Sequence, residues 1–202
     1  MRQMMRMHAL FRHLARDARG ATVVEFAFVI PVMLILMMGM CELGYQAYVQ
    51  SVITGAVQKA GRDSGIQGAT ASKIDERVLS QVRSAAPSAV WADGYPTRKS
   101  YTTFSAIAPE PFVDTNGNGK RDSTECYTDI NGNKQWDADA GRTGQGGAND
   151  VTVYTGQITY NRLFPVVKLL GWQGTATLSA TTTLMNQPYA TQATPSPETI
   201  CK

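Results

Sequence analysis

Residues 21–41 read ATVVEFAFVIPVMLILMMGMC, an apolar run that only Glu25 and Pro31 interrupt. At about 1.5 Å of rise per residue, an α-helix of this length spans about 31 Å, which is the thickness of a bilayer's hydrocarbon core. The sequence therefore predicts a single membrane-spanning helix near the N-terminus, and this helix decides the architecture of the chain.

The charges that flank the run are asymmetric. Residues 1–20 hold five arginines and one acid, Asp17, which gives +4, so the rest of the chain contributes −1 to the net charge of +3. The next basic residue after the run is Lys59. By the positive-inside rule, this leader stays in the cytoplasm and the remainder is exported. Because the positive charge is confined to the leader, the sequence does not predict a nucleic-acid-binding surface.

Both histidines, His8 and His13, also lie in the leader. The exported part thus has no imidazole to serve as a general base or metal ligand near neutral pH. No paired-carboxylate, Ser-x-x-Lys or glycine-rich phosphate-binding signature stands out. The composition therefore predicts a protein that is not an enzyme.

Three other interpretations of the apolar run are a cleaved secretory signal, a lipoprotein signal and a plain membrane anchor. A secretory signal has a shorter core of about 7–15 residues and a small-residue cleavage site, whereas residues 42–45 read ELGY. A lipoprotein signal needs a small residue where Met40 precedes Cys41. A plain anchor explains the length of the run but not Glu25, because a carboxylate near the centre of a membrane helix costs about 2.5–3.5 kcal/mol.

Cleavage after Gly20 would supply a counter-charge for this carboxylate. The new amine would lie on Ala21, with Glu25 fifth and Phe26 sixth in the mature chain. Residues 19–26 resemble the processing site of type IV-like prepilins. The longer stretch 19–62 carries the acid–aromatic pair, then Pro31, then Glu-Leu-Gly at 42–44. It resembles the N-terminal domain of TadE-like proteins, the pseudopilins of the tight-adherence (Flp) pilus system.

The resemblance implies a non-enzymatic minor pseudopilin that a prepilin peptidase cuts between Gly20 and Ala21. It implies a single pass through the bacterial inner membrane, with the N-terminus cytoplasmic and the C-terminal part periplasmic. The implied partners are other pilins or pseudopilins and the pilus assembly platform, with entry into the surface pilus left open. The alternative is an uncleaved membrane-anchored surface protein that binds calcium.

Beyond the run, the helical period continues to Ala60, and a short amphipathic helix follows from Ser72, its predicted N-cap, to Pro87. Threonine-rich segments with strand period cover 152–160 and 175–185. These patterns predict an α+β fold, with a long N-terminal helix (transmembrane plus periplasmic extension) packed on a small antiparallel sheet domain.

The predicted organisation has four parts. They are a leader over 1–20, a helix over 21–62, a periplasmic α+β domain over 63–189 that includes a loop at 110–145, and a disordered tail over 190–202. The apolar stretch 163–172, LFPVVKLLGW, is too short to be a second span and is interpreted as a core-capping loop or short helix.

Within the 110–145 loop, two acidic segments repeat at a period of 15 residues: DTNGNGKRDSTE at 114–125 and DINGNKQWDADA at 129–140. Oxygen donors at alternate positions, with a glycine that permits a turn, are what calcium requires. The first segment matches the full EF-hand loop pattern, although no long helices flank it. The candidate ligands are Asp114, Asn116, Asn118, Asp122 and Glu125 in the first loop, and Asp129, Asn131, Asn133 and Asp137 in the second.

The second segment departs from the pattern, because Lys134 replaces the glycine and Ala140 replaces the final glutamate. We interpret Asp139 as a substitute for the missing glutamate. The alternative for both segments is a pair of turns rich in Asp, Asn and Gly, which are common turn residues. Asparagine in place of aspartate lowers the ligand charge and favours weak binding, suited to millimolar calcium outside cells.

The chain has three cysteines, of which Cys41 lies in the apolar run. Cys126 and Cys201 both fall on the exported side, where disulfides persist. Either they form one bridge, which would hold the tail against the acidic loop, or they remain exposed thiols or pair between molecules.

Overall fold

The computed structural model describes residues 19–64, 70–164, 168, 171, 173–187 and 196–201. The chain divides into two compact units. One contains the N-terminal helix up to Tyr45 together with Leu163–Gly174, and the other contains Gln46–Arg162 and the chain from Thr175. Most of the leader predicted over 1–20 lies outside the described residues.

Helix α1 runs without interruption from Arg19 to Ser64 and includes Pro31. From Gln46 onward it packs on the sheet of the second unit, and Val49, Ile53 and Val57 on one face are fully buried. They recur every four residues, the spacing that brings side chains to one side of a helix. Near its end the helix lies very close to the sheet, since a Cβ atom on Gly61 would come within 2.9 Å of the Thr182 side chain.

Helix α2 spans Ala71–Ala85 and buries Ile74, Val78 and Val82, as the amphipathic pattern predicts. Its N-cap differs from the prediction. The cap residue is Thr70, which makes no side-chain capping bond, and Ser72 lies inside the helix. Asp75, the fifth residue of the helix, forms a salt bridge with Arg98 and accepts a hydrogen bond from the Tyr154 hydroxyl at 2.8 Å.

The strands form two antiparallel sheets. Their bounds are β1 Val90–Trp91, β2 Thr97–Tyr101, β3 Tyr127–Asp129, β4 Arg142–Thr143, β5 Val151–Asn161, β6 Thr175–Met185 and β7 Glu198–Ile200. In the larger sheet, β5 pairs with β6 along its full length and with β1 and β2 on its other side, and β4 pairs with β2. A short 3-10 helix, Phe104–Ala106, follows β2.

The two long strands agree with the threonine-rich segments of the sequence. From Thr152 to Tyr160, every second residue of β5 is buried, and Ile158 on this face is completely buried. This alternation is typical of a strand with one face on a core. The long N-terminal helix and the small antiparallel sheet domain confirm the predicted α+β fold class.

The prediction of a disordered tail over 190–202 does not hold for Glu198–Ile200. These residues form β7, which pairs with β3 in register Tyr127↔Ile200 and Asp129↔Glu198. Sequence composition indicates only how little apolar surface the tail has. It does not reveal the strand partner that satisfies the backbone of these three residues. Residues 190–195 lie outside the described residues.

Candidate functional site

The first unit exposes a helix whose side chains are almost all apolar. The stretch is long and apolar enough to cross a membrane, and none of its most apolar window is buried. Phe28 is 77% exposed and Met33 is 62% exposed, as are similar side chains all around the helix. Exposing so much apolar surface to water costs free energy. The exposure is therefore compatible with a single-pass membrane anchor.

The predicted processing residues lie at the start of this helix. Gly20 and Ala21 are in its first turn, and Gly20 has no other group within 4 Å of the position a Cβ would take. Glu25 and Phe26 are exposed one turn later. Because Ala21 and Glu25 are four residues apart, they lie on the same side of the helix.

The first acidic loop is folded around the carboxylate of Asp114. One oxygen accepts N–H bonds from Gly117 at 2.7 Å and Asn118 at 3.2 Å, and the other accepts one from Gly119 at 2.8 Å. Gly117 and Gly119 have φ of +72°, the left-handed region that favours glycine. Glycine adopts this conformation without strain at both positions.

Asp122 lies opposite Asp114 in this loop. Its Oδ2 accepts N–H bonds from the side chains of Asn116 at 2.6 Å and Asn118 at 2.9 Å. The carboxamide oxygens of the same two asparagines accept N–H bonds from the backbone two residues further on. Hydrogen bonds therefore link four of the five residues expected as ligands to one another or to the same turn of backbone.

The second loop repeats this arrangement residue for residue. Asp129 accepts the N–H groups of Gly132 and Lys134, both at 2.7 Å. Asp137 accepts side-chain N–H bonds from Asn131 at 2.8 Å and Asn133 at 2.6 Å. Lys134 has φ of +61°. The loop therefore keeps the left-handed conformation even though the expected glycine is missing.

Each loop is closed by one buried glutamate. In the first loop, Glu125 accepts N–H bonds from Thr115 at 2.7 Å and Asp122 at 2.9 Å. Thr115 and Asp122 occupy the second and ninth positions of the loop. Glu125 is 4% exposed, so both of its oxygens are held inside the protein by backbone donors.

The residue that closes the second loop is Glu110, which the sequence interpretation missed. It accepts N–H bonds from Ile130 at 2.8 Å and Asp137 at 3.0 Å, again the second and ninth positions. Glu110 is 1% exposed. It precedes Glu125 by the same 15 residues that separate the loops, and this spacing is the signal that could have identified it.

The two repeats are related by a local two-fold arrangement. Phe112 and Tyr127 form an isolated antiparallel bridge. On either side of it, Val113 donates to the Cys126 carbonyl at 2.9 Å and Thr128 donates to the Pro111 carbonyl at 2.8 Å. When the repeats are taken as 110–124 and 125–139, the glutamate that begins each repeat closes the loop of the other.

Asp139, the expected substitute, has a different role. It forms a salt bridge with Lys99 and accepts a hydrogen bond from the Tyr101 hydroxyl at 2.7 Å. Burial acts to raise the pKa of Asp139, but the hydrogen bonds from Lys99 and Tyr101 lower it below its usual value. The carboxylate is therefore ionised and engaged away from the second loop.

The donor set fits a hard cation such as calcium only if the asparagines contribute. Among the described residues, no three His, Cys, Asp or Glu side chains group closely enough to hold a metal ion. In each loop, two aspartates, two asparagine carboxamides and one glutamate supply oxygens, the ligand type of calcium. In the present arrangement, the carboxamide N–H groups bridge to Asp122 and Asp137.

A disulfide joins Cys126 to Cys201. Cys126 immediately follows Glu125 and immediately precedes β3, so the bridge and the β3–β7 pairing together hold the C-terminal strand beside the first loop. Cys41 is free and exposed on α1.

The structure thus defines an α+β protein with a paired acidic loop and one helix long and apolar enough to cross a membrane. The family model described as TadE-like protein matches residues 20–62, which confirms the resemblance drawn from the residues of α1. The match lies within α1 and covers 43 of the 202 residues. No match was found among curated proteins or among solved structures.

Two polar residues, Glu42 and Asn186, have structural roles that the sequence alone did not reveal. Glu42, in the Glu-Leu-Gly segment, is buried and accepts backbone N–H bonds from Leu163 and Phe164. Asn186 donates side-chain N–H bonds to the carbonyls of Gln145 at 2.6 Å and Gly147 at 3.0 Å. Each of these side chains binds the backbone of a segment that is far from it in the sequence.

Proposed function

We propose that this protein is a non-enzymatic minor pseudopilin that takes part in assembly of a tight-adherence pilus and is processed after Gly20. The observation that carries the proposal is the TadE-like match over residues 20–62. It falls on an exposed apolar helix that begins with the expected cleavage residues. In this proposal the paired strands and acidic loops of the periplasmic unit contact the partner subunits.

The proposed mechanism rests on the charge of Glu25. After cleavage, the new amine of Ala21 would lie one helical turn away on the same side. An amine and a carboxylate in a low-dielectric medium attract strongly and lower the cost of burying each other. Glu25 would therefore bind the amine of its own chain or of a neighbour, and this pairing would align helices in the bilayer.

Intact-mass measurement in cells with and without the prepilin peptidase tests the proposal. We expect the chain to start at Ala21 when the peptidase is present and at Met1 when it is absent. Glu25→Gln should still be cut but should reduce the number of pili, since the cut site is intact and only the charge pairing is lost. A chain that starts at Met1 in both strains would overturn the proposal and favour an uncleaved surface protein.

A second candidate function, calcium binding, is supported by the paired loops. In both loops, two asparagine side chains donate N–H bonds to one aspartate, and a buried glutamate closes the loop. The order of the loops would then depend on the calcium concentration outside the cell. This function is compatible with either a pseudopilin or an uncleaved surface protein.

Thermal unfolding of the full chain in detergent micelles tests this function. A site with a dissociation constant of about 1 mM would add about 1.4 kcal/mol at about 10 mM calcium. For a chain of this size, that corresponds to a rise in Tm of about 3–6 °C per site relative to chelator. Magnesium at the same concentration is the matched control. An unchanged Tm in calcium would leave the loops as hydrogen-bonded turns.

A further inference from the structure

Glu42, the first residue after the apolar run, is buried, although the residues around it are exposed. Glu42 is 4% exposed, whereas its neighbours Met40 and Leu43 are 73% and 68% exposed. Its Oε2 accepts N–H bonds from Leu163 at 3.1 Å and Phe164 at 3.3 Å. The backbone at 163–164 therefore lies directly beside the point at which the candidate membrane span ends.

Residues 163–164 belong with the membrane helix rather than with the sheet. The segment Leu163–Gly174 groups with the helix up to Tyr45 in one compact unit. The Leu163 side chain is 56% exposed. The backbone N–H of an exposed leucine thus binds Glu42, which has the exposed Leu43 beside it in the sequence and the exposed Met40 two residues before it.

We propose that the chain contacts the membrane a second time, with Leu163 and Phe164 placed in the outer interfacial layer of the bilayer by Glu42. This inference rests on the membrane insertion of α1 contained in the proposed function. The partner is the phospholipid surface, because the exposed apolar side chains continue directly from the candidate span.

The hydrogen bonds to Glu42 make such a position physically possible. An unpaired backbone N–H costs several kcal/mol in a medium without water, so non-helical backbone normally stays out of the bilayer. The N–H groups of Leu163 and Phe164 are both satisfied by one carboxylate oxygen. The same two bonds lower the cost of burying the charge of Glu42. The residues that follow in the sequence, at 165–172, are mostly apolar and include Lys168 and Trp172, a composition common at membrane interfaces.

Photo-crosslinking to lipid tests the proposal on the full chain. The photoreactive residue p-benzoylphenylalanine replaces Leu163 in one protein, Met33 of the span in a second, and Val113 in a third. Val113 is the matched control because it is equally exposed (59%) but lies beside the first acidic loop. Each protein is reconstituted in vesicles of phosphatidylethanolamine and phosphatidylglycerol, irradiated and analysed by intact mass.

We expect phospholipid adducts from positions 33 and 163 and none above background from position 113. Adducts at 33 without adducts at 163 would overturn this inference and leave the span intact, as would a protein–protein crosslink from 163 in place of a lipid adduct. The absence of adducts at 33 would show that the span itself, and with it the proposed function, is wrong.

Variants of Glu42 test its role as a positioning residue. Glu42→Ala should reduce the lipid adduct at 163 severalfold while the adduct at 33 and the disulfide remain, which shows that the protein is still folded. Glu42→Gln keeps an acceptor oxygen and should largely restore the adduct at 163. An equal yield at 163 in all three proteins would contradict the role assigned to Glu42.

Discussion

Glu110 and Glu125 have equivalent positions in the structure. Glu110 accepts hydrogen bonds from the backbone N–H groups at the second and ninth positions of the second acidic loop, and Glu125 accepts the same two bonds in the first loop. The loops are therefore not independent turns. With the repeats taken as 110–124 and 125–139, each begins with the glutamate that closes the loop of the other. An antiparallel bridge joins Phe112 of one repeat to Tyr127 of the other.

The first prediction concerns these two glutamates. Glu110→Gln and Glu125→Gln should each lower the free energy of unfolding by about 1–3 kcal/mol, because a glutamine has one acceptor oxygen where two buried N–H groups need partners. Thermal unfolding of the full chain in detergent measures the loss. Glu76→Gln is the control, since Glu76 is exposed on α2 and should change stability by less than about 0.5 kcal/mol.

The result for Glu110→Gln decides whether the two loops depend on their glutamates in the same way. If Glu125→Gln is destabilising and Glu110→Gln behaves like the control, the second loop does not depend on Glu110 and the two-fold relation has no energetic meaning.

A second prediction follows from the backbone of Lys134. A residue with a side chain at φ of +61° is strained, whereas glycine adopts this conformation freely. Lys134→Gly should therefore stabilise the protein by up to about 1 kcal/mol, although glycine also gains entropy in the unfolded chain. Lys120→Gly in the first loop is the matched control. Lys120 is not among the residues with positive φ, so its replacement should not stabilise. Chemical denaturation that shows no difference between the two variants would contradict this account.

The sequence predicted the two α-helices and the two long strands because their signals are local, but not the short strands. The apolar run of α1 and the alternation of β5 and β6 are each contained in one segment. The partners of polar side chains are not local. Glu110 lies 19 residues before Asp129 in the sequence, and nothing in the loop pattern itself indicates which distant carboxylate closes it.

The same reason explains the other differences between sequence and structure. The sequence predicts that α2 is capped at Ser72, whereas the cap residue is Thr70. Asp75, three residues after Ser72, pairs instead with Arg98 and Tyr154 on the sheet. The tail around Glu198 has no strand signal of its own and is ordered by pairing with β3. Long-range pairing outweighs local propensity at both positions.

The third prediction concerns the disulfide. Cys126 and Cys201 are separated by 75 residues in the sequence, and linking residues so far apart removes much of the entropy of the unfolded chain. Cys201→Ser should lower the free energy of unfolding by about 2–4 kcal/mol. Cys41→Ser is the control because Cys41 is free and exposed. Thermal melts without reductant check both variants, and equal melting of Cys201→Ser and the wild type would show that the bridge does not stabilise the fold.

The fourth prediction concerns Asn186, whose side-chain N–H groups donate to the carbonyls of Gln145 and Gly147. Asn186→Asp keeps the shape but replaces the donor by a charged oxygen that faces both carbonyls. We expect a loss of about 2–3 kcal/mol near neutral pH, with partial recovery in acid, where a protonated carboxyl can donate one bond. Gln187→Glu is the control because Gln187 is exposed. Urea titration that gives equal stability for the two variants would refute this role.

The fifth prediction concerns alkaline pH and Tyr101. Burial, followed by the hydrogen bond to Asp139, raises the pKa of Tyr101 to about 12 from the usual value of 10.0. A folded-state pKa above the unfolded one means that the protonated phenol is favoured in the native protein. The contribution of Tyr101 is therefore complete below pH 10 and is lost as the pH rises from about 10 to 12.

Tyr101→Phe removes this dependence, because phenylalanine does not ionise. The free energy of unfolding, measured by urea titration between about pH 8 and about pH 12, should fall less steeply with rising pH for Tyr101→Phe than for the wild type. The variant should also be less stable below pH 10, since Asp139 loses a hydrogen-bond donor. Tyr154, whose pKa is raised mainly by burial and then by its hydrogen bond to Asp75, contributes the same background slope to both proteins. Parallel pH profiles would show that the Tyr101 phenol ionises equally readily in the folded and unfolded chains.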